Sequence, residues 1–174
     1  MTIRTILHYP DPRLRHNTLP ITTFDSSLQQ LINDMFETMY DARGVGLAST
    51  QIGVDLQICV IDTSRDQSKQ VVLINPEIIT ANNIETMQEG CLSVPGHYDT
   101  VHRATEVTFK ALDRDGKPYQ MDVTGVFAEC VQHELDHLKG RLYIDQLSVF
   151  KQARIKDKMK KHSRHCKACD HEHH

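Results

Sequence analysis

Two histidines stand four residues apart in the segment His133-Glu134-Leu135-Asp136-His137. On a helix, residues separated by four positions lie one turn apart on the same face, with about 5–6 Å between their Cβ atoms. Two imidazoles at that spacing can bind one metal ion, and Glu134 beside the first can reach a water held there. The pattern indicates a hydrolytic metal site, although helices that contain several His and Glu residues also produce it by chance.

A mononuclear catalytic site also needs a third protein ligand and one open position. Cys91 is the candidate, because a metal-bound thiol is a thiolate and the preceding Gly90 lets the backbone turn it toward an ion. The glycine-rich segment 44–51 offers Gln51, whose amide could donate a hydrogen bond to a developing oxyanion. Taken alone, Cys91 could equally be an inert buried thiol, and segment 44–51 an ordinary turn.

Together the three segments resemble the peptide deformylase family. Its motifs are G-x-G-L-A-A-x-Q, E-G-C-L-S and H-E-x-D-H, and this chain has GVGLASTQ at 44–51, EGCLS at 89–93 and HELDH at 133–137. The resemblance spans about residues 4–160 and is greatest to the bacterial type with a C-terminal helix. Ser49 departs from a usual alanine, the segment Gly96-His97-Tyr98 lies where some members carry an arginine, and Glu129 stands where some have an apolar or basic residue.

The resemblance implies a hydrolase that removes the N-formyl group from the formyl-methionine of newly made proteins and releases formate. Cys91, His133 and His137 would hold one divalent metal, with Fe²⁺ expected first and Zn²⁺, Ni²⁺ or Co²⁺ as alternatives. A metal-bound water would attack, with Glu134 as general base and then acid, while Gln51 and the Leu92 N–H stabilise the oxyanion. The implied substrate-binding residues are Val45, Gly46, Leu47, Met87, Glu89, Gly90, Phe127 and Cys130. Glu89 would also pair with Arg103.

The elements that must position these residues follow from apolar periodicity. Steps of three and four from Leu28 to Tyr40 predict a helix over about 26–40, capped near Asp25. A second helix is predicted over 125–138 and a third over about 148–161. Between them lie short β-like runs, listed here by number: 56–61, 71–74 (closed by Asn75-Pro76), 78–79, 84–87, 107–112 and 119–123, the last two joined by a hairpin turn at 113–117. We predict an α+β fold, with short antiparallel or mixed strands around a central helix that carries the His-Glu motif.

Charge divides the chain of 174 residues into two parts. Residues 1–150 hold 12 basic and 20 acidic side chains, whereas residues 151–164 hold seven basic side chains and one acidic. We predict one catalytic domain over 1–161, ending in a basic helix, followed by a flexible His- and Cys-rich tail over 162–174 that binds metal loosely. The basic helix is either a solvated helix end or, as the resemblance implies, a contact to the ribosome.

Composition excludes several classes of protein. No run of 18 apolar residues predicts a transmembrane helix, and the N-terminus lacks the apolar core of a signal peptide, so we expect a cytoplasmic protein without membrane contact. Five cysteines at uneven spacing argue against a disulfide framework. Nothing predicts sequence-specific binding of nucleic acid. Two alternatives remain: a zinc endopeptidase, and a ribosome-associated or metal-buffering protein for which Glu134→Ala would be silent.

Overall fold

Residues 2–169, which the computed structural model describes, form three α-helices and one five-stranded sheet. The elements in chain order are α1 (Ser26–Asp41), β1 (Gly46–Ala48), β2 (Ile58–Ile61), β3 (Val71–Cys91), β4 (Val94–Leu112), β5 (Pro118–Thr124), α2 (Gly125–Leu138) and α3 (Val149–Cys169). The strands lie in the order β1-β2-β3-β4-β5, and each neighbouring pair is antiparallel. The predicted α+β fold is confirmed, and of the two predicted arrangements, antiparallel or mixed, the sheet has the antiparallel one.

Helix α1 forms where capping and periodicity predicted it. The Asp25 side chain accepts a hydrogen bond from the Leu28 N–H, which satisfies one of the free donors at the start of the helix. The apolar stripe, including Ile32, Met35 and Met39, is fully buried against strands β1 and β2. Because this face and its cap are both local features, the predicted range was correct to within one residue.

Strand β3 is much longer than the separate short runs that the sequence predicted. Asn75 and Pro76 were expected to end a strand at 74, but β3 continues to Cys91 and pairs with β4 along most of its length. The register shifts between Ile74 and Glu77, and Asn75 adopts a positive φ of 49°. The irregularity therefore bends one strand instead of ending it. The Asn75 amide, hydrogen-bonded to the Ile21 main chain, holds this bend in place.

Helix α2 follows β5 directly and lies against the sheet. Ala128, Val131, Leu135 and Leu138 pack into the same buried cluster as Phe109 of β4. One face of α2 therefore packs on the sheet, and its other face is available to form a site. The predicted range of 125–138 is confirmed.

The predicted hairpin turn at 113–117 is also confirmed. The Asp113 carboxylate accepts hydrogen bonds from two main-chain N–H groups, and Gly116 has a φ of +82°.

Helix α3 extends beyond its predicted end. Ile155 and Met159 dock it against a buried cluster that includes Val94 and Tyr143. The helix was expected to stop near 161 but continues to Cys169, because residues 162–169 contain no Gly or Pro to break it. The predicted helix end near 161 was therefore too early, whereas the flexibility of the segment from 162 stays a prediction. Residues 170–174 and the Cys166 and Cys169 side chains lie outside the described part, and with them the predicted metal binding by the tail.

No helix between residues 2 and 169 combines the length and the apolar character needed to cross a bilayer.

Gly140, just after α2, generates a prediction about stability. Its φ is +70°, and an added Cβ would meet the Arg15 carbonyl group. Gly140→Ala should lower the free energy of unfolding by about 2–4 kcal/mol, from left-handed strain together with a clash against main chain. Denaturant unfolding followed by circular dichroism measures the loss. Gly96→Ala is the matched control, because Gly96 has φ +72° but open space around it, and it should lose about 1–2 kcal/mol. Equal losses in both variants would contradict the clash.

Candidate metal centre

Three potential metal ligands from two distant segments meet beside helix α2. His133 and His137 lie one helical turn apart, and their Nε2 atoms are 3.1 Å from each other. Cys91 ends strand β3, and its Sγ lies 3.3 Å from His137 Nε2. The three donor atoms all lie within 4.8 Å of one another. The structure therefore brings together the three residues that the sequence motifs predicted as ligands.

The chemistry of this donor set fits one divalent transition-metal ion. A thiolate and two imidazoles are ligands that Zn²⁺ and Fe²⁺ accept, and three protein ligands leave a fourth position for water or substrate. Both histidines are buried. Burial, reinforced by the neighbouring His133, lowers the pKa of His137 well below its usual value, which keeps that imidazole neutral. A neutral imidazole has the free lone pair that a metal requires.

A buried ion-pair chain orients the first histidine. Glu89 Oε2 lies 2.7 Å from His133 Nδ1, and Arg103 donates to both Glu89 oxygens at 2.9 Å. Burial would raise the pKa of Glu89, but the hydrogen bonds from His133 and Arg103 outweigh it and bring the pKa to about 2. The ionised carboxylate accepts a hydrogen bond from Nδ1–H, so that Nε2 is the His133 nitrogen that faces Cys91 and His137. The pairing of Glu89 with Arg103, expected from the resemblance, is present.

Glu134 places a carboxylate against strand β1. A Cβ at Gly46 would lie 2.5 Å from Glu134 Oε1, so the approach of the two segments depends on the missing side chain. Glu134 is buried, and burial raises its pKa to about 7. Among the described residues its Oε2 atom has no hydrogen-bond partner. A carboxyl group that titrates near neutrality and keeps one oxygen free is suited to accept and return a proton.

Gln51 is held in a defined orientation beside Cys91. Its Oε1 accepts a hydrogen bond from the Ala48 N–H at 2.9 Å, which fixes the amide nitrogen on the other side. That nitrogen lies 3.1 Å from Ser93 Oγ and 3.6 Å from Cys91 Sγ. Ser49, the departure from the usual alanine, is buried and donates to the Leu56 carbonyl, so the turn remains intact. The Gln51 amide can therefore donate toward a ligand at the cluster.

A cavity of about 470 Å³ opens between the β1 segment, the β3–β4 turn and α2. This volume lies within the range of small-ligand pockets. Ten of the residues predicted for the site line it: Val45, Gly46, Gln51, Glu89, Gly90, Cys91, Leu92, Cys130, His133 and Glu134. His137 lies deeper, in contact with Cys91 and His133.

Three predicted substrate-binding residues do not reach this cavity. Leu47 is fully buried against α1, because successive side chains of a strand point to opposite faces and Gly46 faces the site. Met87 packs against the α3 cluster for the same reason, while Gln88 lines the cavity. Phe127 packs against the sheet. None of the three lines the cavity, because of the face that each element presents, and their predicted contact with the substrate stays a prediction.

Ten further residues that line the cavity are not among the predicted site residues. They are Arg43, Gly44, Gln88, Val94, Pro95, Gly96, His97, Tyr98, Val126 and Glu129. Helical spacing could have found two of them, because Val126 and Glu129 stand seven and four positions before His133 and so share its face. The 95–98 segment is brought in by the turn that follows Cys91, which only the sheet pairing positions.

Comparison with known proteins decides the family. The family described as Polypeptide deformylase matches residues 3–153 of this chain. The chain belongs to the polypeptide deformylase family. It is 51% identical to the peptide deformylase of Chromobacterium violaceum, covering 92% of this chain and 96% of that protein. It is 54% identical to the peptide deformylase of Hahella chejuensis, covering 90% and 94%.

Solved structures of deformylases share the fold. The peptide deformylase from Legionella pneumophila superposes with a TM-score of 0.90 at 55% identity, covering 94% of this chain and 96% of that one. The peptide deformylase from Ehrlichia chaffeensis in complex with actinonin gives a TM-score of 0.91 at 34% identity, covering 94% and 99%. Enzymes named peptide deformylase are hydrolases that act on a linear amide. This deformylase-family assignment decides against both the endopeptidase and the non-enzymatic alternative.

The ion-pair chain generates a prediction about metal affinity. Glu89→Gln removes the charge that holds His133 and leaves Arg103 facing a neutral amide. We expect the affinity for Zn²⁺ or Co²⁺ to fall by roughly 10–100-fold, measured by competition with a chromophoric chelator. Asp145→Asn is the control, because it removes a carboxylate from an arginine pair outside the cavity lining and should leave the affinity unchanged. A folded Glu89→Gln protein with wild-type affinity would show that the pair does not tune the site.

Proposed function

We propose that this chain removes the formyl group from the N-terminal formyl-methionine of newly synthesised proteins and releases formate and a free amine. One observation carries the proposal: three potential metal ligands converge beside a buried carboxylate that keeps one oxygen free, at the wall of an open cavity. The relatives named peptide deformylase support the same reaction. Because proteins that begin with formyl-methionine are synthesised on ribosomes, we place the proposed reaction in the cytoplasm.

In this proposal Cys91, His133 and His137 hold one divalent ion. Fe²⁺ is the proposed ion, and Zn²⁺, Ni²⁺ or Co²⁺ suit the same donors. When bound, such an ion lowers the pKa of a coordinated water and polarises a carbonyl group. A thiolate ligand also makes the site sensitive to oxidation, since the sulfur of Cys91 can be converted to a sulfenic acid.

Proton transfer falls to Glu134. Its carboxylate takes a proton from the attacking water and then delivers it to the nitrogen of the departing amine. A pKa of about 7 lets one group serve as base and acid near neutral pH. Gln51 and the Leu92 N–H donate to the formyl oxygen as it becomes negatively charged, and each such donor is worth roughly 3–4 kcal/mol in comparable enzymes.

The substrate chain is proposed to lie along β1. This strand is at the edge of the sheet, so its outer main-chain groups are available to an extended peptide. Gly46 supplies main chain beside Glu134, and Val45, Gly90 and Cys130 offer apolar contacts for the methionine side chain. Leu47, Met87 and Phe127 are left out of this proposal because they pack into the core.

The basic residues of α3 are proposed to contact ribosomal RNA. Ile155 and Met159 dock the helix, while Lys156, Lys160 and Arg164 are exposed. Lysine and arginine contacts to phosphates release counterions, so the contact should weaken as salt rises.

Replacement of Glu134 tests the chemistry. Glu134→Gln keeps the shape of the side chain but cannot accept a proton, so kcat/KM should fall by about 10²–10⁴-fold with metal content unchanged. The measurement is formate release from a formyl-Met peptide by anaerobically purified, metal-loaded protein. Cys91→Ala is the contrasting variant, since it should lose the metal as well. Near-wild-type turnover by Glu134→Gln would remove Glu134 from the mechanism. A metal-loaded wild-type protein that releases no formate would overturn the proposed function.

Replacement of basic residues tests the ribosome contact. Changing Lys156, Lys160 and Arg164 to alanine should reduce the slope of log affinity against log salt by about 3, in co-sedimentation with ribosomes. The control changes three exposed lysines of the body to alanine, namely Lys69, Lys110 and Lys117. Equal binding by both triple variants would contradict a specific role for α3.

A further inference from the structure

The face of α3 that docks against the rest of the protein continues into positions occupied by potential metal ligands. Ile155 and Met159 are buried on this face. The same alternation of four and three residues leads on to His162, Cys166 and Cys169. Positions at this spacing share one side of a helix, and α3 runs to Cys169. The stripe therefore changes from apolar residues to residue types that bind transition metals.

His162 meets a second histidine from a distant segment of the chain. The centroid of the His8 ring lies 6.4 Å from that of the His162 ring. In the metal centre beside α2, the ring centroids of His133 and His137 are 4.9 Å apart. His8 and His162 are both exposed, so rotation about their side-chain bonds can bring the two imidazoles as close as the pair in the metal centre.

His8 itself lies on a fixed piece of main chain. The N–H groups of the residues on either side of it donate hydrogen bonds to the Gln51 and Ser93 carbonyls, at 2.7 and 2.8 Å. Partial burial, and then the neighbouring His162, lower the pKa of His8, which favours the neutral imidazole. The neutral form is the one that binds a metal ion. His8 is therefore suited to act as a ligand from outside α3.

We propose that His8, His162 and Cys166 form a second metal site, which binds Zn²⁺ and fastens the end of α3 to the N-terminal segment. Two imidazoles and one thiolate are ligands that Zn²⁺ accepts, and they leave a fourth position for water. Cys166 follows His162 by four residues, which is the spacing of the two histidines in the metal centre. Because His8 comes from a separate segment, the site would bridge two elements.

Titration of the reduced protein with Zn²⁺ tests the site. In competition with a chromophoric chelator, the wild-type protein should bind about two Zn²⁺ per chain, one at the metal centre beside α2 and one at the end of α3. His8→Ala should keep the first ion and lower the affinity for the second by at least about 10-fold, and Cys166→Ser should do the same. The ligands of the metal centre are unchanged in every variant, so the ion held there is a constant background.

Two matched controls separate this site from binding by the end of the chain alone. The first changes His171, His173 and His174 together to alanine and should leave the second ion at its wild-type affinity. The second is Cys169→Ser, which should also keep that affinity. Position 169 lies about 10 Å beyond His162 along the helix axis, too far for both to share one ion.

Three results of the titration would overturn the proposal. The first is a wild-type protein that binds a single Zn²⁺ per chain. The second is a second ion that His8→Ala leaves at its wild-type affinity. The third is a second ion that either control weakens as much as Cys166→Ser does, since the end of the chain would then bind it without the bridge.

Amide hydrogen exchange gives an independent readout of the bridge. In the wild-type protein, addition of Zn²⁺ should slow exchange in the last turns of α3, because an ion that binds only the docked helix opposes its local opening. In His8→Ala the same addition should have little effect. Equal slowing in the two proteins would contradict a role for His8.

Discussion

The buried chain of charged groups from Asp136 through Arg103 and Glu89 to His133 ties α2 to strands β3 and β4. Arg103 contacts both acids at 2.7–2.9 Å and is only 5% exposed. Loss of Glu89 or Arg103 would leave the other charge buried without its partner, at a cost of about 3–5 kcal/mol. The helix that carries two metal ligands is thus fixed to the strand that ends in the third. The geometry of the site and the stability of the fold depend on the same contacts.

The site also retains groups whose hydrogen-bonding capacity the protein does not use. Glu134 Oε2 and His137 Nδ1 are buried without partners among the described residues. Buried polar groups are unfavourable unless a ligand or water completes their hydrogen bonds. The core between α2 and the sheet supplies the compensating apolar burial, with Phe109, Val131 and Ala128 fully buried. Helix α2 therefore serves both function and packing. Its sheet-facing side chains contribute apolar burial, and its cavity-facing side chains include the polar groups that lack hydrogen-bond partners.

This division of α2 also separates the residues of the ligand cluster from the rest of its cavity-lining face. His133, Glu134 and His137 are constrained by the ligand cluster, by Gly46 and by the Glu89 pair. Glu129 shares their helix and their cavity but contacts none of those groups through a hydrogen bond.

Features that depend on near neighbours along the chain could be predicted from the sequence. Capping by Asp25, the apolar stripes of α1 and α2, the turn at 113–117 and the His133–His137 spacing are all local, and each was predicted correctly. The continuity of β3 past Asn75 depends on tertiary contacts, because pairing with β4 outweighed a local turn signal. Tertiary contacts also decided which faces of Leu47, Met87 and Phe127 are buried, and that Glu129 stands unpaired at the cavity. These outcomes depend on contacts between distant segments, and neither periodicity nor residue type specifies which segments will meet.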